Sequence, residues 1–273
     1  MPLPIALQLY SVREQMEEDF FGTIKEVKEL GYDGVEFAGL FDRDPAVIRD
    51  FLKEIRLQPV SAHVPLAELA KDPAGTAAVY QTIGCRYIAI PYLPEELRPG
   101  TSGFAQTVKQ IKSIGSVCRR MGMQLLYHNH DFEFVKIDGE YGLDMLYRLT
   151  ASAELMSELD TCWVHIGGED PAAYVRKYTG RAPIVHLKDF YLKGSADGQP
   201  LYGLIGREET PKRTAENFSF MPCGYGMQNM PELIRASREA GAEWVVVEQD
   251  QPDAGRTPME DARLSLDFLR PLL

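Results

Sequence analysis

Three stretches of this 273-residue chain repeat one phrase: a helical segment, a glycine, then a short apolar run. They read ELGYDGVEF, RMGMQLLYHNH and EAGAEWVVVEQD. A repeated helix–glycine–strand unit makes successive strands parallel, because parallel neighbours need a long crossover between them. Eight apolar or alternating runs follow this rhythm, at residues 5–12, 34–39, 59–64, 85–92, 124–130, 154–160, 183–189 and 244–250. Eight such units predict an α/β fold of one kind, a (β/α)8 TIM barrel forming a single domain over 1–273. An open doubly wound sheet is the alternative. It is weakened by LQLYSVREQ, which stands after the first run where a glycine-rich phosphate loop would be needed.

The intervening segments carry the helical period. Phe20, Ile24, Val27 and Leu30 share one face, with Gly31 placed to cap the helix. Val47, Phe51, Leu52 and Ile55 form a second stripe. Val108, Ile111, Ile114 and Val117 form a third, ahead of Gly122, and Leu233, Ile234 and Ala240 precede Gly241. One connection breaks the rhythm. Residues 191–222 are long and polar, and in a barrel they would hang over the mouth at the strands' C-terminal ends.

Charge narrows the function. Twenty-nine lysines and arginines against 40 aspartates and glutamates leave a net charge of −11. Such a surface repels phosphate backbones and anionic headgroups, so neither nucleic acid nor membrane is expected as a partner. The four cysteines, at 85, 118, 162 and 223, are widely spaced and form no C-x-x-C pair. They read as reduced, buried residues. The first residues have no basic-then-apolar leader, and no run reaches the length of a membrane span, so a soluble cytoplasmic protein is expected.

The informative feature is where the polar residues sit. Run after run starts apolar and ends in an ionisable group: Glu36, His63, His128 and His130, Asp160, His186 with Lys188 and Asp189, and Glu248 with Asp250. Parallel strands point one way, so these groups converge on one face, the face that carries active sites in barrels. His128 and His130 stand at i and i+2, on one side of a strand, with Glu133 just beyond. Carboxylates and imidazoles around one point make a mixed oxygen and nitrogen site, suited to one divalent ion: Mn²⁺, Co²⁺, Zn²⁺ or Mg²⁺. A single strand-end carboxylate is more often a helix cap. Asp44, Asp189 and Asp250 are read that way, and His165 as structural or exposed. Cys223, in PCGYG, reads as packed beside a glycine turn. Several ionisable groups buried together are costly without a metal or substrate to satisfy them.

On these residues the chain resembles the sugar phosphate isomerase/epimerase family, the xylose isomerase-like or AP endonuclease 2-like barrels. The carriers are GYDGVEF (31–37), SAH (61–63), YHNHDFEF (127–134), ELD with Trp163, HLKD (186–189), CGYG (223–226), EWVVVEQD (243–250) and a Ser-Leu-x-Phe-Leu tail (265–269). The resemblance implies a divalent metal held by Glu, Asp, His and Glu from strands five to eight. Asp160, His186 and Glu248 match three of these. The fifth strand departs, reading His128-Asn129-His130. Either Glu133 folds back to complete the set or His128 replaces it, and Glu133 is the favoured choice. With Glu133 in place, Glu133 and Glu248 are the acid/base pair. Without it, His128 or His130 takes one of those roles. Lys188 would steady negative charge or hold a substrate oxygen, or else pair with a carboxylate. Glu36, His63 and Trp163 would contact substrate.

The implied activity is isomerisation or epimerisation of a sugar or keto-sugar, through α-proton abstraction and an enediolate. The alternative is dehydration of a keto-inositol or 3-keto-sugar. A metal-dependent phosphodiesterase and a non-catalytic sugar-binding barrel are the weaker readings. The expected partner is a small carbohydrate or polyol, and a homo-oligomer accords with the family pattern.

Overall fold

The computed structural model describes residues 2–193, 218–253 and 255–273. Eight strands form one parallel sheet: β1 (Ile5–Gln8), β2 (Gly34–Phe37), β3 (Gln58–Ala62), β4 (Tyr87–Ile90), β5 (Gln124–His128), β6 (Met156–Asp160), β7 (Ile184–Leu187) and β8 (Trp244–Val247). Their order around the sheet is β3-β2-β1-β8-β7-β6-β5-β4. The two ends meet: His63 and Ala89 form a parallel bridge. Arg86 N–H also donates to Val60 O at 3.2 Å, and Val64 N–H to Ala89 O at 2.9 Å. The sheet is a closed TIM barrel, as the repeated unit predicts.

Every strand is shorter than its apolar run. The trimmed residues include most of the expected site: His130, Lys188, Glu248 and Asp250 lie past the ends of their strands, and His63 just past β3 keeps only its bridge to Ala89. A hydrophobic count cannot see where the ladder stops, because all of these rim residues but the half-buried His63 remain buried after the backbone has left it.

The helices behave as their periodicity predicts, with two adjustments. Phe20–Leu30 is a helix whose Phe20, Ile24 and Val27 are buried, and Gly31 closes it at φ +111°. In the helix Pro45–Ile55, Ile48 and Leu52 face inward, whereas Val47 is exposed. In Phe104–Arg120, Cys118 takes the buried position expected for Val117. Here Gly115 is required: a Cβ would collide with the Glu154 carbonyl. Asp44 caps the helix Pro45–Ile55 through the Ala46 and Val47 amides, as expected.

The main core lies between strands and helices. A smaller apolar plug (Ala6, Val60, Ala89, Leu126, Ile184 and Val246 among its members) fills the lower interior of the barrel, with Met156 and Trp244 packed against it. Most of the connection at 191–222 lies outside the described residues. Its described ends are an antiparallel ribbon, Asp189–Leu192 with Phe218–Met221, rather than irregular chain. All four cysteines are free and buried. Among the described residues, no helix is long and apolar enough to cross a membrane.

Candidate metal centre and cavity

Inward positions on a strand alternate, so each strand contributes residues i, i+2 and i+4 to successive levels of the interior. The sequence Ile184, His186, Lys188 on and just after β7 climbs from the plug to the mouth. Leu126, His128, His130 does so at β5, Met156, Glu158, Asp160 on β6, and Val246, Glu248, Asp250 at β8. The polar ends found in the sequence therefore converge.

His128, Asp160, His186 and Glu248 each offer a ligand atom, and these atoms lie within 4.8 Å of one another. His128 Nε2 is 3.3 Å from Asp160 Oδ2 and 3.5 Å from Glu248 Oε2, and His186 Nδ1 is 3.0 Å from the same Glu248 oxygen. All four residues are buried. Asp160 is divided. Its Oδ1 caps the next helix, accepting from the Cys162 and Trp163 amides, while its Oδ2 has no hydrogen-bond partner among the described residues. His128 Nε2 is likewise unpartnered. Buried polar atoms are normally satisfied, and two orphans facing each other in a mixed nitrogen and oxygen set fit a divalent cation.

Glu133 does not join this group. It lies in the turn Asp131–Phe134, where the Tyr127 hydroxyl and the His130 amide, the latter at 2.7 Å, donate to its two oxygens. His128 stands where a carboxylate ligand was expected. Burial pushes the Glu133 carboxyl up to about 8, against the lowering effect of those two donors.

Lys188 sits 3.0 Å from both Glu248 Oε2 and Asp250 Oδ1, and 3.5 Å from Asp160 Oδ2. Its ammonium lies over the Trp163 and Phe220 rings, at 5.2 and 5.5 Å. Burial disfavours the charge, but Asp250, Glu248 and Asp160 outweigh it and hold Lys188 well above its ordinary value. Burial raises Asp250 to about 6 despite the neighbouring ammonium. Asp250 is therefore a member of the site and not a helix cap. Asp189 is a cap of another kind: it binds the amides of Phe190, Gly224, Gly226 and Gln228, and so fixes the CGYG turn. Cys223 packs there, its thiol toward Leu187 O. His165 pairs with Gln228.

A cavity of about 400 Å³ opens above these groups, lined by Tyr10, His63, Tyr92, His128, His130, Lys188, Glu248 and Asp250 among others. Two residues expected to touch substrate are not in its wall. Glu36 lies beneath, fully buried, taking hydrogen bonds from Gln8 at 2.6 Å and from Ser61. Burial opposes its charge, yet His63 and His186 together hold it well below the usual carboxylate range. Trp163 is also buried, and stacks on His130 at 5.3 Å. Burial first, then His128 and Lys188, keep His130 well below its ordinary value.

Glu158 was not anticipated as a site residue. It is fully buried, with Oε1 2.5 Å from His63 Nε2 and 3.2 Å from His186 Nε2. Burial opposes a charged His63, but Glu36 and Glu158 lift it to about 10. Strand alternation could have found Glu158, which stands two residues before Asp160, as it could have found Asp250, two after Glu248.

With this geometry in view, the family model for xylose isomerase-like TIM barrels matches residues 24–272. The chain belongs to that family. Among relatives, the inosose dehydratase of Geobacillus kaustophilus (strain HTA426) is 25% identical over 270 residues, covering 90% of this chain and 85% of that one. A sugar phosphate isomerase/epimerase structure from Parabacteroides distasonis ATCC 8503 superposes with a TM-score of 0.78 at 19% identity, covering 99% and 94%. The IOLI protein, whose structure has a bound zinc atom, gives 0.70 at 13% identity over 99% and 98%. The two structures share the family's barrel. The dehydratase and isomerase/epimerase relatives are enzymes, as expected for this chain.

Proposed function

We propose that the chain is a divalent-metal-dependent dehydratase of a small keto-polyol of the inosose type. The observation that carries this reading is the make-up of the mouth. Two carboxylates, Glu248 and Asp250, contact an ammonium, Lys188, each at 3.0 Å, while Glu133 is held away by Tyr127 and His130. A base beside an acid suits elimination. Epimerisation by two carboxylates needs the second glutamate. The name shared by the dehydratase relatives supports the same choice.

His128, Asp160, His186 and Glu248 would hold the metal. When bound, it supplies Lewis acidity to a substrate carbonyl and stabilises negative charge as the α-proton leaves. Glu248 takes the proton from the α-carbon. Lys188 gives a proton to the hydroxyl leaving the neighbouring carbon, so the C–O bond breaks and water departs. The Glu248–Lys188 contact then returns the proton to the amine, and both groups recover their starting states. His130 and His63 hold substrate hydroxyls from the cavity wall. Trp163 acts through His130 and Lys188, by packing on both.

The test is to incubate metal-loaded protein with inososes and a panel of keto-sugars in deuterium oxide, and read products by mass spectrometry. The expected result is a product lighter by one water, abolished in Glu248→Gln and Lys188→Met. A product that has lost no water and is heavier by the one deuterium at its α-carbon replaces this reading with isomerisation or epimerisation.

A further inference from the structure

We infer that the barrel binds a second divalent cation below the first, between His63, Glu158 and His186. It extends the reading of a metal at the mouth and is tested apart from it. His63, His128, Glu158 and His186 form a second group whose ligand atoms all lie within 4.8 Å of one another. The two groups share His128 and His186. His186 can serve both as a bridging imidazolate, its ring proton released to solvent when both ions bind, because its nitrogens diverge: Nδ1 faces Glu248 at 3.0 Å, and Nε2 faces Glu158 Oε1 at 3.2 Å and Glu36 Oε1 at 2.9 Å.

Two further observations point to an ion at the lower level. Glu158 Oε2 and His186 Nε2 are fully buried and have no hydrogen-bond partner among the described residues. The orphaned atoms therefore fall in both groups, not only at the mouth. Glu36 and Glu158 also place two carboxylates inside the barrel whose ion-pair partners among the described residues are His63 and His186, with no lysine or arginine. A divalent ion balances two carboxylates while leaving His63 neutral, the form in which a terminal imidazole ligates. Two or three imidazole nitrogens with a carboxylate oxygen suit Zn²⁺ or Co²⁺. Bond lengths of about 2.0–2.2 Å separate donors by roughly 3 Å. The His63–Glu158 contact at 2.5 Å must therefore open slightly, and the half-buried His63 ring, which lines the cavity, has open space on one side.

The probe is Co²⁺ titrated into metal-stripped full-length protein, read by visible absorbance, with elemental analysis after Zn²⁺ loading. Two equivalents per chain are expected, falling to one in Glu158→Gln and to one in His63→Gln, with circular dichroism reporting the fold of each. Asp160→Asn loses the mouth ion and keeps the lower one. Saturation of the wild type at one equivalent that Asp160→Asn removes overturns the second site and leaves the mouth reading intact. Two equivalents retained in both Glu158→Gln and His63→Gln overturn it as well. One equivalent removed by Glu158→Gln but not by Asp160→Asn supports the lower site and sinks the mouth reading.

Discussion

Asp160 does two jobs with two oxygens. One caps a helix through the Cys162 and Trp163 amides, and the other faces His128 and Lys188. The jobs separate by substitution. Asparagine caps about as well as aspartate, whereas alanine costs about 1 kcal/mol. Asp160→Asn should therefore keep the stability of the metal-free protein, and Asp160→Ala should lose about 1 kcal/mol of it. Both should weaken mouth-cation affinity at least about a hundredfold, more than the tens expected for an outer-sphere change. Calorimetric melting and metal titration check the two halves. At this scale Asp160, His186 and Glu248, placed by the strands they stand on, come together where their sequence positions put them. Glu133 does not join them, because a two-residue departure from β5 into a tight turn decides whether that side chain meets the axis or the Tyr127 hydroxyl. Nothing in HNHDFE marks that difference before the backbone is seen.

The turn Asp131–Phe134 is the element that sets this choice. Glu133 closes it by accepting from the His130 amide. Its carboxyl is raised by burial to about 8, so the folded protein prefers the neutral form. The stability this contributes is fully present below the ordinary carboxylate range and is lost as pH rises through about 8. Glutamine can keep both contacts, presenting its oxygen to the amide and its NH₂ to Tyr127, but it does not titrate. Melting temperatures of wild type and Glu133→Gln should thus diverge between about pH 5 and pH 9, the wild type losing ground by a few kcal/mol as pH rises. A constant difference across that range would show that Glu133 is ionised throughout. The strands carry the complementary lesson. Their existence and order were legible because hydrophobic runs and glycine caps are local. Their ends were not, because the rim residues other than His63 stay buried after the ladder has stopped.

At the scale of the whole molecule, the barrel was legible because one unit repeats eight times and only a closed parallel sheet uses all of them. At the lower, histidine-rich level the sequence names Glu36, His63 and His186 but not Glu158, nor their arrangement, for a reason of the same scale. Glu36, His63, Glu158 and His186 come from four strands, and their mutual contacts exist only once the sheet has closed on itself, through the join between β3 and β4. Closure has another consequence, set by the apolar plug of Ala6, Val60, Leu126, Ile184 and Val246. The interior is a blind well. Among the described residues the plug leaves no rear exit for a product or an expelled water, so whatever enters from above leaves by the same opening. Product and substrate therefore contend for one doorway and one berth. Steady-state inhibition by the unsaturated product should be strictly competitive against the polyol, raising KM and leaving kcat untouched.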